Sequence, residues 1–304
     1  MNIGAGILLK VASVLVFTVM AALIKQTSGA APAGQQVFFR SFFAIPVILV
    51  WLIARGALRT GLHTKRPINH FYRGLVGTCS MGLNFAALGL LPFPEATALG
   101  YAFPLMTVIF AAMFLGEDVR AFRLIAVMTG LIGVIIVLLP SFGVTSDSLT
   151  LAQTLGAVLA LCGASCGALA QIFVRKMVAE ESISVIVFWF SVTSSILALL
   201  TLPFGWTVPS AKDTALLILV GLLGGVGQIF LTSAYRFAPA SVVAPFEYVS
   251  IFLALAIGYF SFGEVPTVTM LIGCSIVIAA GIAIILRERQ LGIERARQRR
   301  AMTP

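Results

Sequence analysis

The feature that most constrains this chain is a succession of apolar stretches, each about as long as a bilayer is thick, separated by very short polar breaks. A membrane-spanning helix needs roughly 20 predominantly apolar residues. Ten such stretches can be marked out. The first five run from about Gly6 to Gln26, Gln35 to Ala54, Tyr72 to Leu91, Glu95 to Leu115 and Phe122 to Leu139. The second five run from about Leu151 to Phe173, Ile183 to Phe204, Thr214 to Ala234, Ser241 to Phe262 and Thr267 to Leu286. Together with their turns they use up nearly all of the 304 residues. With 10% charged residues the chain lacks the polar surface of a water-soluble domain. The reading is an all-α integral membrane protein. It excludes a cytosolic enzyme, a disordered chain, and a nucleic-acid binder despite the net charge of +9.

Orientation follows from Lys and Arg, which favour the cytoplasmic side. With the N-terminus inside, Arg55, Arg59, Lys65, Arg66 and Arg73 fall in one cytoplasmic loop. Arg120, Arg123, Arg175, Lys176 and Arg236 fall on the same side, as do the six arginines beyond residue 286. Only Lys25 and Lys212 fall outside. Both termini are therefore expected in the cytoplasm, and residues 287–304 as a basic cytoplasmic tail near anionic headgroups. No basic segment precedes the first apolar run, so no cleaved signal is expected.

The chain also repeats itself. At a constant offset of 147 residues, Gly74, Leu75 and Gly77 fall on Gly221, Leu222 and Gly224. Ala87 and Pro92 fall on Ala234 and Pro239, Tyr101 on Tyr248, and Gly116-Glu117 on Gly263-Glu264. Each half, residues 1–140 and 151–286, holds an odd number of expected spans, so the second must enter the membrane from the opposite side. Inverted repeats of this kind allow an inward-open state and its outward-open mirror about a midplane site. That is the logic of a transporter rather than of a receptor or a structural bundle.

On these residues the chain resembles the drug/metabolite transporter superfamily, in its EamA-type branch. The two Gly-Glu pairs, Lys25 closing span one and Arg40 within Phe38-Phe39-Arg40-Ser41 carry the resemblance over about residues 6–287. It implies that helices one to four and six to nine surround a cavity, with five and ten peripheral. It further implies a bacterial inner-membrane location and a small organic substrate such as an amino acid, amine, nucleotide-like metabolite or vitamin. The stretches Val37–Ala44 and Gly116–Arg120 are similar to alphaproteobacterial members that include riboflavin importers. Riboflavin uptake is thus the leading specific expectation and export of amino acids or related metabolites the alternative. A non-transporting receptor or an intramembrane enzyme stands outside that class. Oligomeric state is not legible.

Ionisable groups inside spans are costly and point to function. Glu247 is the only charge between Pro239 and Phe262, and its repeat partner is Gly100, so the scaffold itself does not require it. It reads as a substrate or proton site, or as a fixed ion pair with Lys10, which lies at a matching depth. Arg40 lies nearer the external end and reads as a gate or anchor holding Glu95 or Glu264, or alternatively as a clamp for a carboxylate or phosphate. Lys25 reads as an interfacial anchor. Asn84, Gln171 and Gln228 line a polar cavity or bond across helices. Tyr101, Tyr248, Phe103, Phe246 and Trp189 are candidates to stack on a planar ligand, with the two tyrosines first because they are repeat equivalents. Pro46, Pro104 and Pro245 interrupt spans, and Pro104 is placed like a hinge. Glycines 163 and 167, and 221 and 225, permit close helix packing.

Catalytic motifs are weak. Gly163-Ala164-Ser165-Cys166-Gly167 fits a hydrolase elbow only in letters, since it lies in a span about 100 residues from His63 and His70. The four cysteines read as small buried span residues without metal-ligand spacing. No catalytic residue, cofactor or metal is expected.

Overall fold

The computed structural model describes residues 3–64, 66–115, 121–138, 151–177, 180–237 and 244–302. Gly116-Glu117, Arg120, Pro239 and the expected turn at Gly143–Thr150 lie outside them.

The described residues fold into helices and turns. The helices are α1 (Ile3–Thr27), α2 (Ala33–Phe42), α3 (Ala44–Ala54), the short α4 (Leu58–Leu62), α5 (Pro67–Leu90), α6 (Phe93–Gly100) and α7 (Ala102–Leu115). Then follow α8 (Ala121–Leu138), α9 (Leu151–Met177), α10 (Ile183–Leu199), α11 (Ala211–Phe237), α12 (Val249–Phe262) and α13 (Val268–Met302), the last running on through the basic tail. A 3-10 turn, Ala244–Tyr248, leads into α12. By length and composition, five stretches suffice to cross a membrane: Gly4–Thr27, Ala33–Ala54, Phe93–Phe110, Leu151–Val174 and Ala211–Ala234. Shorter apolar helices lie at Ile125–Val137, Ser184–Leu199, Phe246–Phe262 and Val268–Ile284.

The outer surface is apolar in stripes. On α8, Ile125, Met128, Ile132 and Ile135 are all exposed at helical spacing, and on α1 so are Leu8, Leu15 and Val19. Such faces are untenable in water and suit hydrocarbon.

Three expected spans are broken, each by proline. A proline lacks the N–H that would bond the carbonyl four residues back, and its ring crowds that carbonyl. Pro46 and Pro104 each stand third in their helix, after breaks at Phe43 and Tyr101. Pro245 lies in the 3-10 turn that ends at Tyr248. Prolines here are thus accommodated in first turns, where the missing donor is not needed. The expected hinge at Pro104 becomes a break at Tyr101, and the break before α12 falls at its repeat equivalent, Tyr248.

Helix pairing follows a pattern. The most extensive seams join α1 to α11, α5 to α9 and α8 to α13. Exchanging the halves turns the first seam into the second and leaves the third unchanged. At the α8–α13 seam a Cβ on Gly133 would meet the Gly273 carbonyl oxygen at 2.9 Å, and one on Gly273 would meet that of Gly133 at 2.7 Å. Only glycine permits that approach. The glycine spacings named above do the same work elsewhere: Gly163 faces Asn84 and Gly221 faces the Phe39 carbonyl.

Two expectations are corrected. Helix α5 starts at Pro67, with proline in the first turn, so His70 and Arg73 belong to it rather than to the preceding loop. Cys79 and Cys162 are exposed on helix faces, whereas Cys274 is buried.

Candidate functional site

At the centre, Tyr101 and Tyr248 meet. Their ring centroids are 5.1 Å apart with planes at 59°, and both are almost fully buried. Each is delivered by a broken helix, Tyr101 at the end of α6 and Tyr248 at the end of the 3-10 turn. The Tyr101 hydroxyl shares a 2.6 Å hydrogen bond with Ser250, whose hydroxyl donates to the Glu247 carbonyl at 2.7 Å. These are the residues that the 147-residue offset pairs.

Beside them Lys10 and Glu247 form an ion pair. The Lys10 side chain is 3% exposed and that of Glu247 52%. Burying an ammonium is expensive unless a counter-ion is in place, so the carboxylate holds the lysine while itself remaining accessible. Glu247, Ser250 and Thr97 also line a cavity of about 120 Å³ with Phe17, Thr18 and Phe93. Phe246 sits half-buried on the same turn.

Other predicted residues lie elsewhere. Asn84 donates to the Ser80 carbonyl at 2.8 Å in the α5–α9 seam, against Gly163. Gln228 faces a small void with Ile48, Trp51, Ser184 and Val187. Trp189 donates to the Leu62 carbonyl at 3.0 Å and flanks His70. None of these three hydrogen-bonds the tyrosine pair among the described residues.

Beyond the end of α5, Lys25 rather than Arg40 meets Glu264. Lys25 Nζ lies 3.0 Å from Glu264 and donates to the Leu91 carbonyl at 2.5 Å, beyond the last turn of α5. The other Glu264 oxygen accepts the Phe93 N–H at 2.6 Å, at the start of α6. A cation at a helix C-terminus and an anion at an N-terminus are the favourable pairing with the helix dipoles. Gly263, at φ +67°, turns the chain out of α12 and presents Glu264. Lys25, expected to be an interfacial anchor, instead ties Glu264 to the end of α5. Gln35 donates to the Thr207 carbonyl at 3.0 Å.

Sequence reasoning missed two pairings on the opposite side. His70 and Glu181 are bonded and both buried, and Thr64 donates to Glu181 at 2.6 Å. Arg73, assigned to a loop by its charge, stacks its guanidinium 3.6 Å from the Phe190 ring, with Arg40 5.7 Å from the same ring. Its place as second residue of the expected third span was the available signal. No group of three or more His, Cys, Asp or Glu able to hold a metal occurs among the described residues.

Apolar helices, paired breaks and a central polar pair between two half-chains define a membrane transporter class. The EamA-like transporter family profile matches residues 4–139 and 154–287, and the chain belongs to that family. It is a multi-pass protein of the bacterial inner membrane. The chain is 29% identical over 281 residues to the pseudopaline exporter CntI of Pseudomonas aeruginosa, covering 92% of this chain and 95% of the relative. It is 31% identical over 253 residues to an S-adenosylmethionine uptake transporter of Rickettsia felis, covering 83% of each. It is 30% identical over 259 residues to a riboflavin transporter of Rhizobium johnstonii, covering 84% of this chain and 82% of the relative. A solved crystal structure superposes with a TM-score of 0.67 at 20% identity, covering 96% of this chain and 99% of the other, which establishes likeness of fold.

Proposed function

We propose that the chain carries a small organic metabolite across the membrane by alternating access, without catalysis. It does so through ten spans arranged as two inverted five-helix halves, residues 1–140 and 151–286, with both termini cytoplasmic. The observation that carries the reading is the contact of Tyr101 with Tyr248, repeat equivalents that end broken helices 5.1 Å apart. A site on a pseudo-twofold axis is reached equally from either side when the halves exchange conformations. The exchange of the α1–α11 and α5–α9 seams supports the same reading. Glu247, Tyr248, Tyr101 and Phe246 line the pathway, Lys10 holds Glu247, and Lys25 with Glu264 forms the external gate.

Riboflavin uptake is the specific substrate carried by the sequence resemblance and by the relative of that name. Export is the second reading, favoured by the relative named as an exporter, which this chain covers to 95% of its length. Growth of a riboflavin auxotroph lacking its own importer separates them. Rescue on low riboflavin, lost in Tyr248→Ala, establishes uptake. No rescue despite membrane expression discards it and directs the search to efflux of carboxylate-bearing metabolites. Counterflow in proteoliposomes tests the transporter class itself, and bound solute without exchange would refute it. A C-terminal fluorescent-protein fusion that stays dark would refute the cytoplasmic C-terminus.

A further inference from the structure

Arg40 and Arg73 come from different helices and converge on one aromatic ring. Arg40 lies eight residues into the α2–α3 pair and Arg73 seven residues into α5, so each is about 10 Å from its helix end. Their Cζ atoms are 5.7 and 3.6 Å from the centre of the half-buried Phe190 ring on α10. A guanidinium stacked on a ring spends its face there and leaves its N–H edge free for an anion. Arg40 is 7% exposed.

Among the described side chains, no carboxylate pairs with either. Five buried side-chain polar atoms lack a hydrogen-bond partner among the described residues, and three of them are Arg40 Nε, Arg73 Nε and Arg73 Nη1. Four carboxylates are engaged elsewhere: Glu180 with Arg66, Glu181 with His70, Glu247 with Lys10 and Glu264 with Lys25. Asp213 accepts from Ser210 at 2.6 Å, and Glu95 lies beside Lys25 and Glu264. Two cations that repel one another, with three of their nitrogens held away from water and no described counter-charge, are costly to fold around. An anion from outside the chain removes that cost. Two forks facing one ring suit a single carboxylate or phosphate shared between them.

We propose that Arg40 and Arg73 bind the anionic group of the transported solute, whose adjoining flat or apolar part lies against Phe190. This rests on the transporter reading and names its substrate class: small organic anions. Riboflavin, uncharged at neutral pH, leaves both guanidiniums uncompensated, so a carboxylate- or phosphate-bearing solute ranks above it.

The test uses the full chain in nanodiscs of zwitterionic lipid at ionic strength matched with chloride. Thermal stabilisation is titrated with benzoate, phenyl phosphate, benzamide and benzylamine. Benzoate or phenyl phosphate is expected to bind about tenfold or more tightly than the neutral and cationic probes, and the stronger of the two tells carboxylate from phosphate. Arg40→Gln and Arg73→Gln are each expected to abolish that preference, and Arg73→Lys, which keeps the charge but not the fork, to weaken it. Ligand-free Arg40→Met is expected to melt higher than the wild type, the opposite of what a purely structural arginine gives. Equal binding of benzoate and benzamide, or an undiminished preference in both glutamine variants, overturns the proposal. Should those variants fail to fold, Phe190→Leu keeps both charges and is expected to weaken anion binding severalfold; unchanged binding then overturns it. Counterflow separates the two readings. Arginine-dependent binding without exchange refutes transport alone, whereas arginine-independent exchange of neutral solutes refutes the anion site alone.

Discussion

At the scale of single residues, the charges inside this protein divide into those with partners and those without. Lys10 is buried and depends on Glu247, so Glu247→Gln leaves an ammonium without its counter-ion. The variant is expected to melt lower than the wild type, and Lys10→Met added to it is expected to recover the loss. A double-mutant cycle on melting should return a coupling of about 1–3 kcal/mol, and additive effects would mean the pair contributes nothing. The Lys25–Glu264 bridge is mostly buried and also completes two helix ends. Glu264→Gln is expected to bias the protein toward opening on the outside by about 1–3 kcal/mol. In a cysteine-free background, Ser261→Cys should then react faster with a membrane-impermeant maleimide, and equal labelling rates would remove the gating role. Residue pairing was partly legible beforehand. Depth along the spans put Lys10 opposite Glu247, but it put Arg40 beside the external acids, where the structure has Lys25. Depth gives height in the membrane and says nothing of rotation about the helix axis.

At the scale of elements, the breaks matter more than the helices. Proline forces α6 to stop at Gly100 and α7 to begin afresh, freeing backbone that delivers Tyr101 to the centre. Pro104→Ala restores the missing donor and favours one continuous helix. Proline inside a helix costs roughly 3 kcal/mol against alanine, so this variant is expected to keep or raise its melting temperature while its exchange rate in proteoliposomes falls severalfold. Unchanged exchange would show that the break has no part in the cycle. The prolines were visible in the sequence as interruptions. Their effect was placed three residues too late, because the chain absorbs a proline by ending the preceding helix rather than by bending through it.

At the scale of the whole molecule, the two long seams are counterparts. Gly227 on α11 faces Phe17 of α1, and Gly163 on α9 faces Asn84 of α5, with no room for a side chain at either. Gly227→Leu and Gly163→Leu are expected to wedge these seams and shift access in opposite directions. Impermeant labelling from each side of sealed vesicles reads the shift, and movement of both variants the same way would sink the idea of mirrored halves.

The sequence alone determined the solvent in which this chain folds, the helical class, the family, and the presence of two related halves. Those follow from apolar length, from the cost of an unpaired backbone in hydrocarbon, and from a constant offset, all of which are local or periodic quantities. Only the tertiary structure decided which charges meet. It drew Arg73 out of its expected loop onto Phe190, gave Glu264 to Lys25, and set Asn84 and Gln228 apart from the tyrosine pair. Partners in these contacts lie up to 239 residues apart, and which face each helix turns inward is settled by packing against neighbours that one-dimensional pattern does not name.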